Sequence, residues 1–330
     1  MITRFSNIRR RFMFRRRAFF TLFLLIFSIT IFSPIEKVFS FINSPDSAFT
    51  ETKLGSVNQH INTSETISAT LGWTGEINQE NAHFGSKVSD AGDVNGDGYG
   101  DVIVAANRYT NGQTEEGGVF LYYGSDRGLA DNPDWSVESD QENSFFGYAI
   151  GTAGDVNGDG YDDIIIGAYY YSNGENLEGR VFVYHGSSSG LSTSPDWTAE
   201  GDQVEAIFGG SVATAGDVNG DGYDDVIIGS TLYDNDQTDE GRVFVYHGSD
   251  SGLSTAPDWT VESNQTMSEF GDSVASAGDV NGDGYGDVVI GARAYDNGQT
   301  NEGGVWVYLG SDIGLLGTYN CLIESNSSWG

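Results

Sequence analysis

A strict 62-residue period runs through most of this chain and limits what it can fold into. Trp73, Trp135, Trp197 and Trp259 keep this spacing, as do Phe84, Phe146, Phe208 and Phe270, and Asp93, Asp155, Asp217 and Asp279. No insertion interrupts it. Each unit is therefore one supersecondary module that buries its apolar faces against its neighbours. Residues 71–318 hold four such units, and 319–330 read as the opening of a truncated fifth.

Within a unit the apolar pattern is that of short strands. In the third, Ser211 to Ala215 alternates, Asp225 to Gly229 carries a Val-Ile-Ile run, Arg242 to Tyr246 alternates again, and Asp258 to Val261 supplies a fourth strand. Asn111-Gly112, Asn173-Gly174, Asn235-Asp236 and Asn297-Gly298 separate the second and third strands, and such dipeptides favour positive φ and tight hairpin turns. The expected fold is all-β: a β-propeller of four-stranded antiparallel blades, with the Val-Ile-Ile-Gly strand near the hub and the Trp strand near the rim. Tandem β-sandwiches are the competing architecture, but their Greek-key crossovers do not need so strict a period. The 46 glycines and the 13% of aromatic residues suit many short strands and turns.

Every unit repeats one acidic loop. Asp93, Asn95, Asp97, Tyr99 and Asp101 recur as Asp155, Asn157, Asp159, Tyr161 and Asp163, as Asp217, Asn219, Asp221, Tyr223 and Asp225, and as Asp279, Asn281, Asp283, Tyr285 and Asp287. Side-chain oxygens at positions 1, 3, 5 and 9, joined by the backbone carbonyl of the tyrosine at position 7, form a hard-oxygen set suited to one Ca²⁺ per repeat, about four in all. Gly98, Gly160, Gly222 and Gly284 at position 6 allow the sharp reversal. The start resembles an EF-hand, but position 12 is Val104, Ile166, Ile228 or Ile290, where a bidentate Glu is needed. The loop therefore joins two strands rather than two helices. The alternative is a metal-free turn. Three carboxylates within about 5 Å repel by some kcal/mol per pair, so recurrence in every copy favours a cation.

Charge and cysteine content narrow the partners. Residues 1–40 hold eight of the 15 basic residues, so 41–330 carry a balance of −40. Such a surface repels nucleic acid and anionic membranes and attracts divalent cations. A solvated acidic surface suited to a salty habitat is the plainer reading of the same charge. Cys321 is the single cysteine, so no intrachain disulfide is possible. Arg4, Arg9, Arg10, Arg11, Arg15, Arg16 and Arg17 precede an apolar run from Ala18 to Phe32, the arrangement of a secretory signal. The run is short for a spanning helix, which favours cleavage, with Val38-Phe39-Ser40 a tolerable context; an uncleaved signal would be the chain's only contact with a membrane. Residues 41–70 are Ser- and Thr-rich and read as a linker. The repeats are expected to be secreted, periplasmic or at the cell surface.

Together these residues resemble the FG-GAP repeats of the integrin α-subunit head. The Phe-Gly pairs are Phe84-Gly85, Phe146-Gly147, Phe208-Gly209 and Phe270-Gly271. The Gly-Ala element corresponds to Ala105-Ala106-Asn107, Gly167-Ala168-Tyr169, Gly229-Ser230-Thr231 and Gly291-Ala292-Arg293, without the proline. The resemblance implies a seven-bladed propeller and a calcium-dependent adhesion or ligand-binding module with an extracellular protein or glycan partner. With four units the array is expected to be incomplete and to self-associate through unclosed blade edges. The segment around Trp73 is expected as an outer strand arriving ahead of the first blade.

Catalysis is not expected. His185 and His247 replace Tyr123 and Leu309 at a recurring strand end, and no phosphate loop, zinc spacing or Ser-His-Asp context is evident. A structural surface repeat without a specific ligand, and the non-catalytic part of a larger secreted enzyme, are the alternatives. Asn107-Arg108, Tyr169-Tyr170, Thr231-Leu232 and Arg293-Ala294 vary between otherwise equal repeats, as a recognition face or a relaxed loop would.

Overall fold

The computed structural model describes residues 73–324. The expected signal (1–40), the linker (41–70) and residues 325–330 lie outside the described residues. The first sheet holds β1 (Phe84–Gly92), β2 (Asp101–Ala106), β3 (Gly118–Tyr122) and β4 (Trp135–Glu138). The second holds β5 (Ala149–Gly154), β6 (Asp163–Ala168), β7 (Arg180–Tyr184) and β8 (Trp197–Glu200). The third holds β9 (Phe208–Gly216), β10 (Asp225–Ser230), β11 (Arg242–Tyr246) and β12 (Trp259–Glu262), and the fourth β13 (Phe270–Gly278), β14 (Asp287–Ala292), β15 (Gly304–Tyr308) and β16 (Cys321–Glu324). Every sheet is an antiparallel meander in sequence order, and no helix occurs among the described residues. These are propeller blades; the sandwich alternative needs crossovers that this order lacks.

The sheets stack consecutively, because each is apolar on both faces. Ile103, Ala105, Val119 and Leu121 of the first sheet pack against Ile164, Ile166, Phe182 and Tyr184 of the second. The second presents Ile165, Val181 and Val183 to Val226, Ile228, Phe244 and Tyr246 of the third, and the third presents Ile227, Val243 and Val245 to the fourth. Each such side chain contributes about 1.5–3 kcal/mol of burial. The first strands of successive sheets, β1 and β5, β5 and β9, β9 and β13, lie against one another, so they are the inner strands and the Val/Ile-rich strands come next.

The tryptophans tie each outer strand to the following sheet. Trp135 Nε1 donates to Ser192 O at 3.0 Å and its ring meets Tyr184 edge-on at 5.1 Å. Trp197 repeats this with Ser254 O and Tyr246. Trp73 makes the same contacts to Ala130 O and Tyr122 of the first sheet. Its segment is not a strand, however, because no third strand lies beside it among the described residues. Cys321 stands one period after Trp259 and opens β16, the outer strand of the fourth sheet.

The second and third strands are not joined by tight turns. Residues 107–117 form a long loop in the first sheet, and its equivalents do so in the others. Gly112, Gly174 and Gly298 do adopt positive φ. The loop is wound around a buried glutamate: Glu116 Oε1 accepts from Asn111 N at 2.5 Å and from Gln113 N at 3.3 Å. An acid that needs several backbone donors calls for more chain than a two-residue turn.

Candidate metal loops and ligand-binding face

Each acidic loop connects an inner strand to its neighbour, and its own backbone amides donate to its side-chain oxygens. In the first loop Asp93 Oδ1 accepts from Asp97 N at 3.0 Å and Asp93 Oδ2 from Gly98 N at 2.8 Å. Asn95 Oδ1 also accepts from Asp97 N, and Asn95 Nδ2 donates to Asp97 Oδ2 at 3.1 Å. Tyr99 N donates to Asp97 Oδ1 at 3.0 Å. The second loop repeats this through Asp155, Asn157, Asp159 and Tyr161, the third through Asp217, Asn219, Asp221 and Tyr223, and the fourth through Asp279, Asn281, Asp283 and Tyr285. In the first two loops each position-1 carboxylate oxygen holds one amide proton and keeps a lone pair free, whereas Asp217 Oδ1 and Asp279 Oδ1 each accept from two amides. The all-oxygen side-chain set is of the kind that suits a hard cation such as calcium.

The position-9 aspartates are buried. Asp101 Oδ2 accepts from Val94 N and Asp101 Oδ1 from Gly124 N, so one carboxylate ties the start of the loop to the end of β3. Asp163, Asp225 and Asp287 do the same with Gly186, Gly248 and Gly310. Burial pushes the Asp163 carboxyl up to about 8 and Asp225 up to about 7, against the backbone amides that lower them. Burial also raises Asp101. A buried carboxylate with a displaced titration is one that a nearby cation would hold ionised.

Successive loops interlock. Asp162 Oδ2 accepts from Asp93 N at 2.7 Å, and Asp224 Oδ2 from Asp155 N at 3.0 Å. These aspartates, at position 8 of their own loops, reach back to the preceding one. The Tyr161 ring covers Gly96, where a Cβ would come within 2.6 Å, and Tyr223 covers Gly158 likewise at 2.5 Å. Gly158 also sits at φ +71°, so glycine is demanded there by both conformation and space.

At the opposite end of the sheets lies a cavity of about 480 Å³ lined by residues of all four, among them Lys87, Tyr148, Tyr169, Leu232, Asp272 and Arg293. The variable residues Tyr169, Thr231, Leu232 and Arg293 all line it. Tyr148, Tyr169 and Tyr170 stack with centroids 3.9 Å apart, the Lys87 ammonium stands 5.8 Å from the Tyr148 ring, and Arg293 pairs with Glu269 and Asp272. Arg108 of the first pair lies over Phe145 at 5.4 Å.

Two acidic clusters escaped the sequence reading. One carboxylate oxygen from each of Glu116, Glu138 and Asp140 lies within 4.8 Å of the others, as do those of Glu178, Glu200 and Asp202, close enough to hold a cation. Glu116, Glu178, Glu240 and Glu302 are all buried and follow the 62-residue period, a signal the sequence did carry. The histidines occupy strand ends: His185 N donates to Asp196 Oδ2, and Ser192 Oγ donates to that same oxygen at 2.5 Å rather than to the imidazole. The imidazole itself packs beside Gly252 of the next repeat.

The FG-GAP repeat model matches residues 88–122, 146–184, 208–246 and 270–308. Integrin alpha pat-2 of Caenorhabditis briggsae is 31% identical over 243 residues, covering 66% of this chain and 19% of that protein. Integrin alpha-5 of Xenopus laevis is 28% identical over 265 residues, covering 76% of this chain and 24% of that protein. The chain thus spans a quarter or less of the length of these relatives. A solved exotype rhamnogalacturonan lyase, YesX, aligns with 61% of this chain and 38% of its own at 17% identity and a TM-score of 0.37, too low to speak for a shared fold or activity. Four repeats of one spacing, each a four-stranded blade with a Phe-Gly start and an acidic loop, make this chain an FG-GAP repeat protein similar to integrin α subunits.

Proposed function

We propose that this chain is an exported adhesion or ligand-binding module whose blades are stabilised by calcium in the four acidic loops and whose ligand, an extracellular protein or a glycan, engages the cavity at the opposite end. One observation carries this reading: four of the eight residues that vary between otherwise equal repeats, Tyr169, Thr231, Leu232 and Arg293, line a single cavity, while the invariant acidic loops lie at the other end of the sheets. Invariance suits a repeated structural ion, and variation suits recognition of one partner. The ligands in each loop are the residues at positions 1, 3, 5 and 9 with the position-7 carbonyl. The similarity to integrin α subunits supports an extracellular protein as partner and a surface or secreted location. Exposed apolar residues on the fourth sheet favour self-association with a second copy of the chain.

Protein and glycan arrays probed with the chain in 1 mM Ca²⁺ test this, with Tyr169→Ala and Arg293→Ala as variants. Saturable hits that weaken at least tenfold in either variant support the cavity as the binding face. Hits unchanged in both variants overturn it, and an absence of hits favours a structural repeat without a specific ligand.

A further inference from the structure

The repeats hold an internal arginine in two blades and an empty place for one in a third. In the second sheet Arg180 lies against the rings of Tyr171 and Phe182 at 5.2 and 5.1 Å, donates to Thr198 Oγ1 at 3.0 Å and pairs with Glu200 Oε1 at 3.1 Å. In the third, Arg242 does the same with Tyr233, Phe244, Thr260 and Glu262. The first sheet keeps every partner in register, as Tyr109, Phe120, Ser136 and Glu138, but Gly118 stands where the arginine would be. A cavity of about 120 Å³ opens there, lined by Tyr109, Asn111, Phe120, Ser136, Val137 and Glu138. In the fourth sheet Gly304 also lacks the arginine, but the Trp306 indole crowds the position, to within 2.6 Å of an added Cβ.

We propose that this cavity of the first blade binds a guanidinium group, supplied as an arginine side chain of a protein partner. The chemistry is displayed twice in the same molecule: two aromatic faces for the flat cation, a hydroxyl for one N–H and a carboxylate for the fork. The first blade keeps the acidic cluster without its internal cation. Glu138 has no arginine there, and Glu116 and Asp140 place carboxylate oxygens within 4.8 Å of it and of each other, as Glu178 and Asp202 do about Glu200 in the second blade; the buried Glu116 Oε2, like Glu178 Oε2, has no hydrogen-bond partner. Free arginine would bring its own carboxylate toward this cluster, whereas an arginine within a chain presents the guanidinium alone. The place is reachable. Arg180, with a preceding sheet packed against its own, keeps 22% of its side chain exposed.

The site is distinct from the calcium loops and from the large cavity, so its test is independent of both. The full-length chain is titrated with N-acetyl-arginine methylamide in 0.15 M salt and EDTA, read by saturation-transfer NMR, with the lysine and citrulline analogues as controls. The expected result is saturable binding of the arginine probe, at least tenfold weaker for lysine and absent for citrulline. Glu138→Gln should weaken it at least tenfold. Gly118→Arg, whose Cβ needs the Tyr109 and Phe120 rings to yield by a few tenths of an ångström from 3.1 and 3.3 Å, should fill the place from within and abolish binding. Tyr169→Ala, in the other cavity, should leave it unchanged. Equal binding of arginine and lysine probes, or binding that survives in both Glu138→Gln and a folded Gly118→Arg, would overturn the proposal.

Discussion

At the scale of single residues, the position-9 aspartates join the acidic loop to the strands. Asp163 accepts from Val156 N and Gly186 N while buried, so Asp163→Asn turns an amide N–H toward one of two backbone donors. A loss of about 2–3 kcal/mol is expected in urea unfolding at a pH above about 8 with EDTA present, where the aspartate is ionised; a change under about 0.5 kcal/mol there, within surface-substitution scatter, would contradict the bridging role. The same residue sets a pH dependence. Its folded pKa of about 8, and that of Asp225 at about 7, lie above the unfolded value of 3.8, so the folded state favours the protonated form. Their stabilisation is fully present below 3.8 and lost as pH rises through about 7 and 8. The EDTA-treated protein should therefore melt higher at pH 5 than at pH 8.5, and the opposite trend would contradict this origin. The loop residues were legible in the sequence because they are contiguous and their spacing is fixed by the turn itself. The links made by Asp162 and Asp224 were not legible because their partners are 69 residues away, in another blade. Glu116 and its equivalents went unread although they keep the period, because nothing in an apolar pattern announces a buried acid served by loop amides.

At the scale of elements, the tryptophan contact transmits stability from one blade to the next. Trp135→Phe removes the bond to Ser192 O but keeps a ring against Tyr184. It should cost about 1–2 kcal/mol and increase amide exchange in β7 and β8 more than in β3. Equal effects on all sheets would argue against a local inter-blade tie. Strand existence and order were readable from alternation and period, since each strand is short and has one environment per face. The connection between the second and third strands was not. Asn-Gly does supply the positive φ at Gly112, but the buried Glu116 expands the hairpin into a loop with several donors turned inward. The outer strand expected at Trp73 failed for a different reason. Its ring and indole N–H find their places on the first sheet, but its backbone has no partner strand there among the described residues.

At the scale of the whole molecule, the fourth sheet has a face that no other sheet among the described residues covers. Val305 is 37% and Ile323 59% exposed, while Val119, Val181 and Val243, the equivalents of Val305, are fully buried by the following sheet. The three internal interfaces show that a like sheet covers such a face, and the proposed self-association would place a sheet of a second copy there. Sedimentation should show concentration-dependent association that Val305→Asp weakens; an identical monomer for both would remove that face as the contact. The larger claim is that calcium holds the blades in shape. With site constants near 10⁻⁴ M, 1 mM Ca²⁺ contributes about 1.4 kcal/mol per loop, about 6 kcal/mol over four loops, comparable to the stability of a domain. Thermal melts followed by circular dichroism in EDTA, then with 1 mM Ca²⁺, then with 1 mM Mg²⁺, test this most directly. A calcium-specific rise of about 10–20 °C in the β-sheet transition is predicted, whereas melts that coincide in all three conditions would contradict a structural role for the ion.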